Sequence, residues 1–549
     1  MTVSRIGAPP PERLAGAPLA GGGVRPSRRL VAAGLLLLFA CTALAYLPAL
    51  RAGFLPIWDD GEYVLNNTLL RSGDGLRRIW LEPRATPQYY PLVHTSFWVE
   101  HRLWGLEPAG YHAVNVALHA ANAALAGAVL SALAVPGAWA AAAVFALHPV
   151  HVESVAWVTE RKNLLSGLFY LSSLLCLLRF FRPAPPGSAP EPGTRPWTLY
   201  AAGAALFAAA LLCKTVTLTL PAALLLLLWW KRGRVEPREL LLTAPLLAAG
   251  VAMGLLTAAL EKHHVGAQGA DWGFSLVERL LIAGRAAWFY LGKLLLPRGL
   301  TFIYPRWEID AGVWWQYLFP AVWALLLAAL WAARGRAGRG PLAAALIFLV
   351  TLAPALGFVD FYPMRYSFVA DHFQYLASLA PIALAAALAA RALPAVAPAP
   401  AAGADTLAHR LRRALPALAP AGAVLAVLAA LTWRQSGYYR DQETLSRQNI
   451  RENPRSWVGH GTLAAVLTEQ RRIDEALEHA RTAVELNPTD PDNLNLLGTV
   501  LSKKGRYDEA LQSFREALRH DGDNLAAQKN IAYVTSLRDY MLRARPGGR

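Results

Sequence analysis

Long apolar runs separated by short polar joints make up most of the chain before residue 434. Runs of roughly 17 to 25 residues are what a helix needs to cross the hydrocarbon of a bilayer. The pattern predicts spans at 30–50, 111–133, 137–150, 163–181, 197–213, 215–230, 239–260, 313–332, 341–358, 374–393 and 417–433, eleven crossings in all. One further apolar stretch, 280–297, is interrupted by Arg285 and Lys293 and is expected to be a re-entrant or interfacial helix on the outer side.

After Trp433 the pattern turns charged and amphipathic. Ala476 and Ala510, Ala483 and Ala517, and the Asp474-Glu475-Ala476-Leu477 and Asp508-Glu509-Ala510-Leu511 blocks are each offset by 34 positions. That is the period of tetratricopeptide (TPR) helix pairs. Turn signals at Asn453-Pro454, Asn487-Pro488 and Asp521-Gly522 keep the same spacing, and Ala464 stands where the second copy has Gly498. Two full repeats and a capping helix from about Leu525 are expected, as a docking scaffold rather than a catalytic unit.

Composition changes little in this picture. The 549 residues are 55% hydrophobic and 16% charged, with a formal net charge of +16. A basic balance suits nucleic acid, but no DNA-reading motif is present, and the Arg and Lys residues cluster in short loops between apolar runs. Orientation in the membrane accounts for them. Arg25, Arg28 and Arg29 hold the arm 1–29 in the cytoplasm, with the first run as an uncleaved anchor. Alternation then puts inside the Pro-rich joint after Arg179, the joint Lys231 to Arg238, Arg334 to Arg339, and the Ala/Pro-rich stretch ending in Arg410, Arg412 and Arg413. Cys41, Cys176 and Cys213 lie in apolar segments without metal-ligand spacing.

Candidate chemistry gathers at the outer ends of the spans. Trp58-Asp59-Asp60-Gly61-Glu62 follows the first run, and a solvated loop has no packing reason to hold two aspartates side by side. Adjacent carboxylates suit a group that must accept or share a proton. His148, His151 and Glu153 follow the third run; they can share a metal ion, but a polar network anchoring helix ends is the favoured reading. Lys214, Arg161 and Arg365 lie at outer joints, where cations either snorkel to headgroups or hold a lipid-borne phosphate. His94 and His101 belong to an aromatic interfacial segment, Tyr89 to Trp104, and are expected to be structural.

The run His148-Pro-Val-His-Val-Glu-Ser-Val-Ala-Trp157 with Glu160-Arg161-Lys162-Asn163-Leu164-Leu165-Ser166 resembles the signature of the transmembrane and TPR repeat-containing (TMTC-type) O-mannosyltransferases and their bacterial relatives, of the GT-C superfamily. Trp58-Asp59-Asp60, Lys214, the Arg285 to Pro297 helix and the order of membrane domain then TPRs fit the same pattern. The resemblance implies an all-α chain: a polytopic GT-C-like helix bundle over 30–433, then a short TPR α-solenoid over 434–549 on the outer side. It further implies transfer of a mannose-like sugar, with inversion, from a polyprenyl-phosphate donor to a protein Ser/Thr or envelope glycan. Asp59 or Asp60 would be the base, with Asp60 slightly preferred; Lys214, Arg161 and Arg365 would hold the donor phosphate; and Glu62, His148, His151 and Glu153 would orient the acceptor or form a supporting polar network. No cofactor is required on this reading, and a divalent metal is not favoured. The family's Asp-Arg-Tyr-x-Tyr-Leu-Pro run stands here as Asp371-His372-Phe373-Gln374-Tyr375-Leu376-Ala377, with Arg365 the candidate substitute for the missing cation.

The Ala- and Arg-rich composition suggests a bacterial inner membrane with the TPRs in the periplasm. The alternative is a non-catalytic membrane scaffold presenting TPRs to envelope partners. A reporter fused after Pro297 is expected to read as external; a cytoplasmic signal would contradict the assigned topology.

Overall fold

The computed structural model describes residues 28–181, 196–392 and 407–543. Arg25, the Pro-rich joint over 182–195 and the Ala/Pro-rich residues 393–406 lie outside them. Every regular element among the described residues is helical. The membrane part comprises α1 (Arg28–Ala45), α2 (Gly73–Leu81), α3 (Pro91–Trp104), α4 (Pro108–Ala132), α5 (Ala138–Leu147), α6 (Val152–Ala156), α7 (Arg161–Phe181), α8 (Trp197–Leu211), α9 (Leu220–Arg232), α10 (Pro237–Leu260), α11 (Leu276–Leu295), α12 (Leu318–Ala333), α13 (Gly340–Leu352), α14 (Leu379–Ala392) and α15 (Leu407–Ser436).

By length and apolarity, four stretches among the described residues suffice to cross a membrane: Pro108–Ala132, Val158–Phe181, Pro237–Val265 and Trp314–Ala333. Arg29–Ala45, Ala138–Leu147, Trp197–Leu211, Gly340–Ala355 and Leu379–Ala392 are shorter apolar helices. Protein buries 56% and 61% of the apolar windows in the first two long stretches, but only 17% and 11% in the last two. So α4 and α7 are central, and α10 and α12 present apolar surface outward, as lipid contact requires. Gly203 lets α8 lie close on α7: a Cβ there would come within 2.8 Å of Leu177, and the Ser173 hydroxyl donates to its carbonyl at 2.7 Å.

Between α5 and α7 the chain runs through short turns, and all residues from His148 to Asn163 are buried. Irregular backbone at this depth must find partners inside the protein. A polar stripe on α4 supplies them. Asn115, His119 and Asn122 share one face at helical spacing. Asn115 Nδ2 donates to the carbonyls of Val155 and Trp157, both at 3.2 Å, and of Val158 at 3.3 Å. His119 Nε2 lies 3.1 Å from the Ala146 carbonyl, and Asn122 Nδ2 donates to the Leu164 carbonyl at 2.8 Å.

At one end of the bundle the α9–α10 and α12–α13 joints meet. A Cβ on Gly233, whose φ of 81° is left-handed, would overlap the Arg339 guanidinium, and Trp229 stacks on Trp331 with centroids 6.2 Å apart. Two of the basic joints thus share a face.

The C-terminal helices are α16 (Gln442–Glu452), α17 (Trp457–Glu469), α18 (Ile473–Leu486), α19 (Pro491–Lys503), α20 (Tyr507–His520) and α21 (Leu525–Arg543). Ala476, Ala480, Ala483, Ala510 and Ala517 are fully buried where the paired helices touch. The difference between the copies has a packing cause. A Cβ at Gly498 would lie 2.6 Å from the Phe514 ring, whereas the position facing Ala464 by the same offset is Ala480.

Helix α16 docks the repeats on the membrane part. Gln448 Nε2 donates to the Leu300 carbonyl at 2.7 Å, and Asn449 Nδ2 to Thr301 Oγ1 and to the Ile303 carbonyl, each at 2.9 Å. The irregular Leu300 to Ile303 segment therefore takes hydrogen bonds from α16, joined by Gln435 and Asn453 on either side of it.

Asn115→Leu would strip three buried carbonyls of their donor. Losing one such partner costs about 1–3 kcal/mol, so the solubilised variant is expected to unfold at a lower temperature than the wild type. An unchanged midpoint would contradict the role given to the stripe.

Candidate functional site

A cavity of about 1240 Å³ opens between the Pro56 to Asn66 loop, the His148 to Lys162 segment, the far end of α10 and the Val359 to Phe373 segment. Its shape follows from how the first loop is pinned. A Cβ on Gly61 would lie 2.2 Å from the Pro56 carbonyl oxygen, so the turn closes only around glycine. Asp60 turns inward and is 1% exposed. Its Oδ2 accepts the Leu55 N–H at 2.9 Å and its Oδ1 the Thr159 N–H at 3.0 Å. Burial pushes the Asp60 carboxyl up to about 7, while the two N–H donors pull it down.

Asp59 turns the other way and lines the cavity. Its Oδ2 accepts from Lys162 Nζ at 2.8 Å, and its side chain is 35% exposed. Lys162 also lies 3.0 Å from Glu160 Oε1. Glu160 Oε2 accepts from Asn163 Nδ2 at 2.5 Å and lies 3.4 Å from Lys214 Nζ, which itself donates to Asn163 Oδ1 at 2.8 Å. Burial lowers the Lys214 ammonium below the usual lysine range, opposed by Glu160. Asp59, Lys162, Glu160 and Lys214 thus form one chain of alternating charge along the cavity wall.

Of the other expected residues, Glu62 is exposed and Glu153 buried, and both line the cavity. Glu153 Oε2 accepts the His372 N–H at 3.1 Å, and its Oε1 lies 3.0 Å from His372 Nδ1. His148 and His151 do not join it. His148 Nε2 lies 3.0 Å from the Leu294 carbonyl, while His151 bridges the Phe145 carbonyl at 2.8 Å and Ser378 Oγ at 2.9 Å. The three residues therefore hold separate polar contacts rather than converging on one point. Arg161 turns away from the cavity: fully buried, it pairs with Glu100, donates to Asn115 Oδ1, and reaches the Tyr111 carbonyl at 2.9 Å. Arg365 stands behind the wall, where its Nη2 lies 3.0 Å from Asp490 Oδ2 of the repeats and its Nη1 donates to Tyr362 Oη at 2.7 Å.

Glu160, Lys162 and His372 are among the lining residues not singled out as site residues from the sequence, as are Arg84, Glu261 and Asp360. Glu160, Lys162 and His372 occur in stretches quoted above, but which side chain of the Glu160 to Asn163 run faces the cavity depends on the helix phase where α7 begins. Next to His372, Asp371 Oδ1 and Oδ2 both lie 3.0 Å from the Tyr304 hydroxyl. Burial, then Glu153, pushes the Asp371 carboxyl well above the usual aspartate range.

The cavity does not end at the charges. Val216 and Leu218 continue its wall, followed by Val251, Gly254, Leu255 and Ala258 of α10. Leu255 is 68% and Val251 49% exposed, so the apolar end opens sideways where α10 presents its outer face.

Residues 457–522 match the tetratricopeptide repeat family model. A 302-residue stretch, 50% of the chain, is 30% identical to the protein O-mannosyl-transferase Tmtc2 of Drosophila melanogaster and covers 30% of that protein. A 93-residue stretch, 17% of the chain, is 43% identical to the protein O-mannosyl-transferase TMTC2 of Mus musculus, covering 11% of it. Over 151 residues, 23% of the chain, identity to the protein O-mannosyl-transferase TMTC4 of Homo sapiens is 32%, covering 20% of it. In each case the matched stretch spans less than a third of the relative's length.

The two aspartates are expected to separate in a stability measurement. Asp60→Asn sets an amide NH2 against a buried backbone N–H and should lower the thermal unfolding midpoint by the equivalent of about 1–3 kcal/mol. Asp59→Asn, whose side chain is 35% exposed and whose partner Lys162 keeps Glu160, should lower it by less. Equal effects would contradict the distinction.

Proposed function

We propose that the chain is an inverting membrane glycosyltransferase that moves a mannose-like sugar from a polyprenyl-phosphate donor to a hydroxyl of a protein or envelope glycan. The observation that carries this reading is one continuous cavity, with the Asp59–Lys162–Glu160–Lys214 chain at its polar end and the exposed face of α10 at its apolar end. A lipid-linked sugar phosphate has the same two parts. Similarity to proteins named O-mannosyl-transferases supports a glycosyltransferase role in general, and the cavity supports the lipid-borne donor.

On this reading the isoprenoid lies along α10 and the phosphate sits by Lys162 and Lys214. Asp59, paired with Lys162, accepts the proton of the acceptor hydroxyl as that oxygen bonds to the anomeric carbon. The bond from that carbon to the phosphate oxygen breaks, and the electron pair stays on a phosphate stabilised by the two ammonium groups. Of the two aspartates, Asp59 is assigned the base because both Asp60 oxygens already accept backbone N–H groups. The separate contacts of His148, His151 and Glu153 support transfer without a shared divalent ion.

We assign 30–433 to the transferase unit and 434–549 to an acceptor-docking unit on the non-cytoplasmic side, in a bacterial plasma membrane. Contact between the α9–α10 and α12–α13 joints supports the orientation, since both carry the Arg and Lys residues expected inside. It also supports α11 as a helix that does not cross, because one more crossing would put these joints on opposite sides.

The test is sugar transfer by purified protein in liposomes holding polyprenyl-phosphate mannose. Asp59→Asn is expected to lower the rate by about 10²–10⁴-fold, and Lys214→Met by about 10²–10³-fold. EDTA treatment should leave the rate unchanged. Full activity of Asp59→Asn would contradict the assigned base, and loss of activity in EDTA would contradict the metal-free reading.

A further inference from the structure

One side of the cavity is aromatic rather than charged. Trp58, the residue before Asp59, has its ring centroid 4.8 Å from that of Phe302 and 6.3 Å from that of Tyr366, and Tyr366 in turn lies 5.5 Å from Trp457. Trp58, Phe302 and Tyr366 line the cavity, whereas Trp457 opens α17, the first helix of the matched repeats. Trp58, Tyr366 and Trp457 are each half-buried. A strip of rings thus leads from the assigned base out to the repeats.

Both parts of the chain hold this strip in place. Asn453 Nδ2 ties the turn before α17 to the Ile303 carbonyl at 3.2 Å, and the Ser456 hydroxyl caps the helix by accepting the Gly459 N–H at 3.0 Å. Opposite them Arg365, already paired with Asp490, sets its guanidinium 5.4 Å from the Tyr366 centroid and 5.7 Å from that of Trp457. A cation within about 6 Å of a ring centroid is attracted to it.

Spacing and shape select the occupant. Same-face side chains of an extended polypeptide recur every two residues, at ~3.3 Å per residue, which is close to the steps between these rings. Neighbouring rings are turned 84° and 60° to one another, so the strip offers crevices between edges rather than one flat face. A glycan stacks its sugars flat on open ring faces, while an apolar side chain wedges between turned rings.

We propose that the acceptor is an extended polypeptide, held along Trp58, Tyr366 and Trp457 by apolar side chains at the second and fourth residues from the Ser or Thr that meets Asp59. The inference rests on the reading of Asp59 as the base and narrows the acceptor from protein or glycan to protein. No bond is made or broken beyond those of the transfer itself.

The test uses the full chain in liposomes holding polyprenyl-phosphate mannose. Its acceptor probes are a synthetic peptide with a central threonine and leucine at the second and fourth residues to either side, the same peptide with glycine in place of leucine, and maltohexaose. The leucine peptide is expected to show a KM about tenfold below that of the glycine peptide, one factor of ten being about 1.4 kcal/mol. Trp457→Ala should abolish that preference, and Trp457→Phe, which keeps a ring on α17, should retain it. Tyr366→Ala, which changes no residue of the repeats, should reduce it as well. The proposal is overturned if the two peptides share one KM in the wild type, if Trp457→Ala keeps the preference, or if maltohexaose accepts the sugar in preference to the leucine peptide. Binding of a fluorescein-labelled leucine peptide without donor separates the two readings: a wild type that binds it, loses it in Trp457→Ala and transfers to no acceptor would contradict the transferase and leave the strip standing.

Discussion

Asp60 joins two parts of the chain that are 99 residues apart in sequence. One carboxylate oxygen holds the Leu55 N–H of its own loop and the other the Thr159 N–H of the segment leading into α7. That clamp sets the loop against the buried segment, so that Asp59 can only point into the cavity and meet Lys162. Without it, the first loop would be a solvated connection and its second carboxylate would have no fixed partner. The rest of the wall depends on the same segment, since Glu160, Lys162 and Asn163 follow Thr159 within four residues.

The buried segment is supported in turn from both sides. The polar stripe of α4 satisfies its carbonyls from within the bundle. Arg161 anchors the start of α7 toward α3 and α4 through Glu100 and the Tyr111 carbonyl. On the other side, α16 holds the Leu300 to Ile303 segment, two residues of which line the cavity. Arg365 and Asp490 tie the Tyr362 turn to the repeats. The repeats thus brace the wall of the cavity as well as extending from it.

The apolar runs and the 34-residue period were legible because both are periodic signals that need no tertiary contact to read. The pair Asp59-Asp60 was legible as a candidate feature of the first loop, but not as two side chains turned opposite ways. Its partners are a backbone N–H far along the chain and a lysine on α7, and neither is implied by the local sequence. Arg161 and Lys162 show the same limit. Adjacent helical residues differ by about 100° in direction, and the irregular segment before α7 leaves that phase unset, so the sequence pointed to the arginine while the lysine faces the cavity. Arg365 is expected from the sequence to be a donor-phosphate cation, because its partner Asp490 lies across the boundary between the membrane part and the repeats. His148 and His151 were read as anchors or ligands, and their partners are a helix-end carbonyl and a serine of neighbouring elements.

The central claim is that a lipid-borne phosphate sits against the charged wall with its chain along α10. An experimental structure of the protein with bound polyprenyl phosphate tests it most directly. The account predicts phosphate oxygens within about 3 Å of Lys214 or Lys162, beside Asp59, and isoprenoid density against Val251 and Leu255. Phosphate bound elsewhere with this wall unoccupied, or a chain lying along α12, would contradict it.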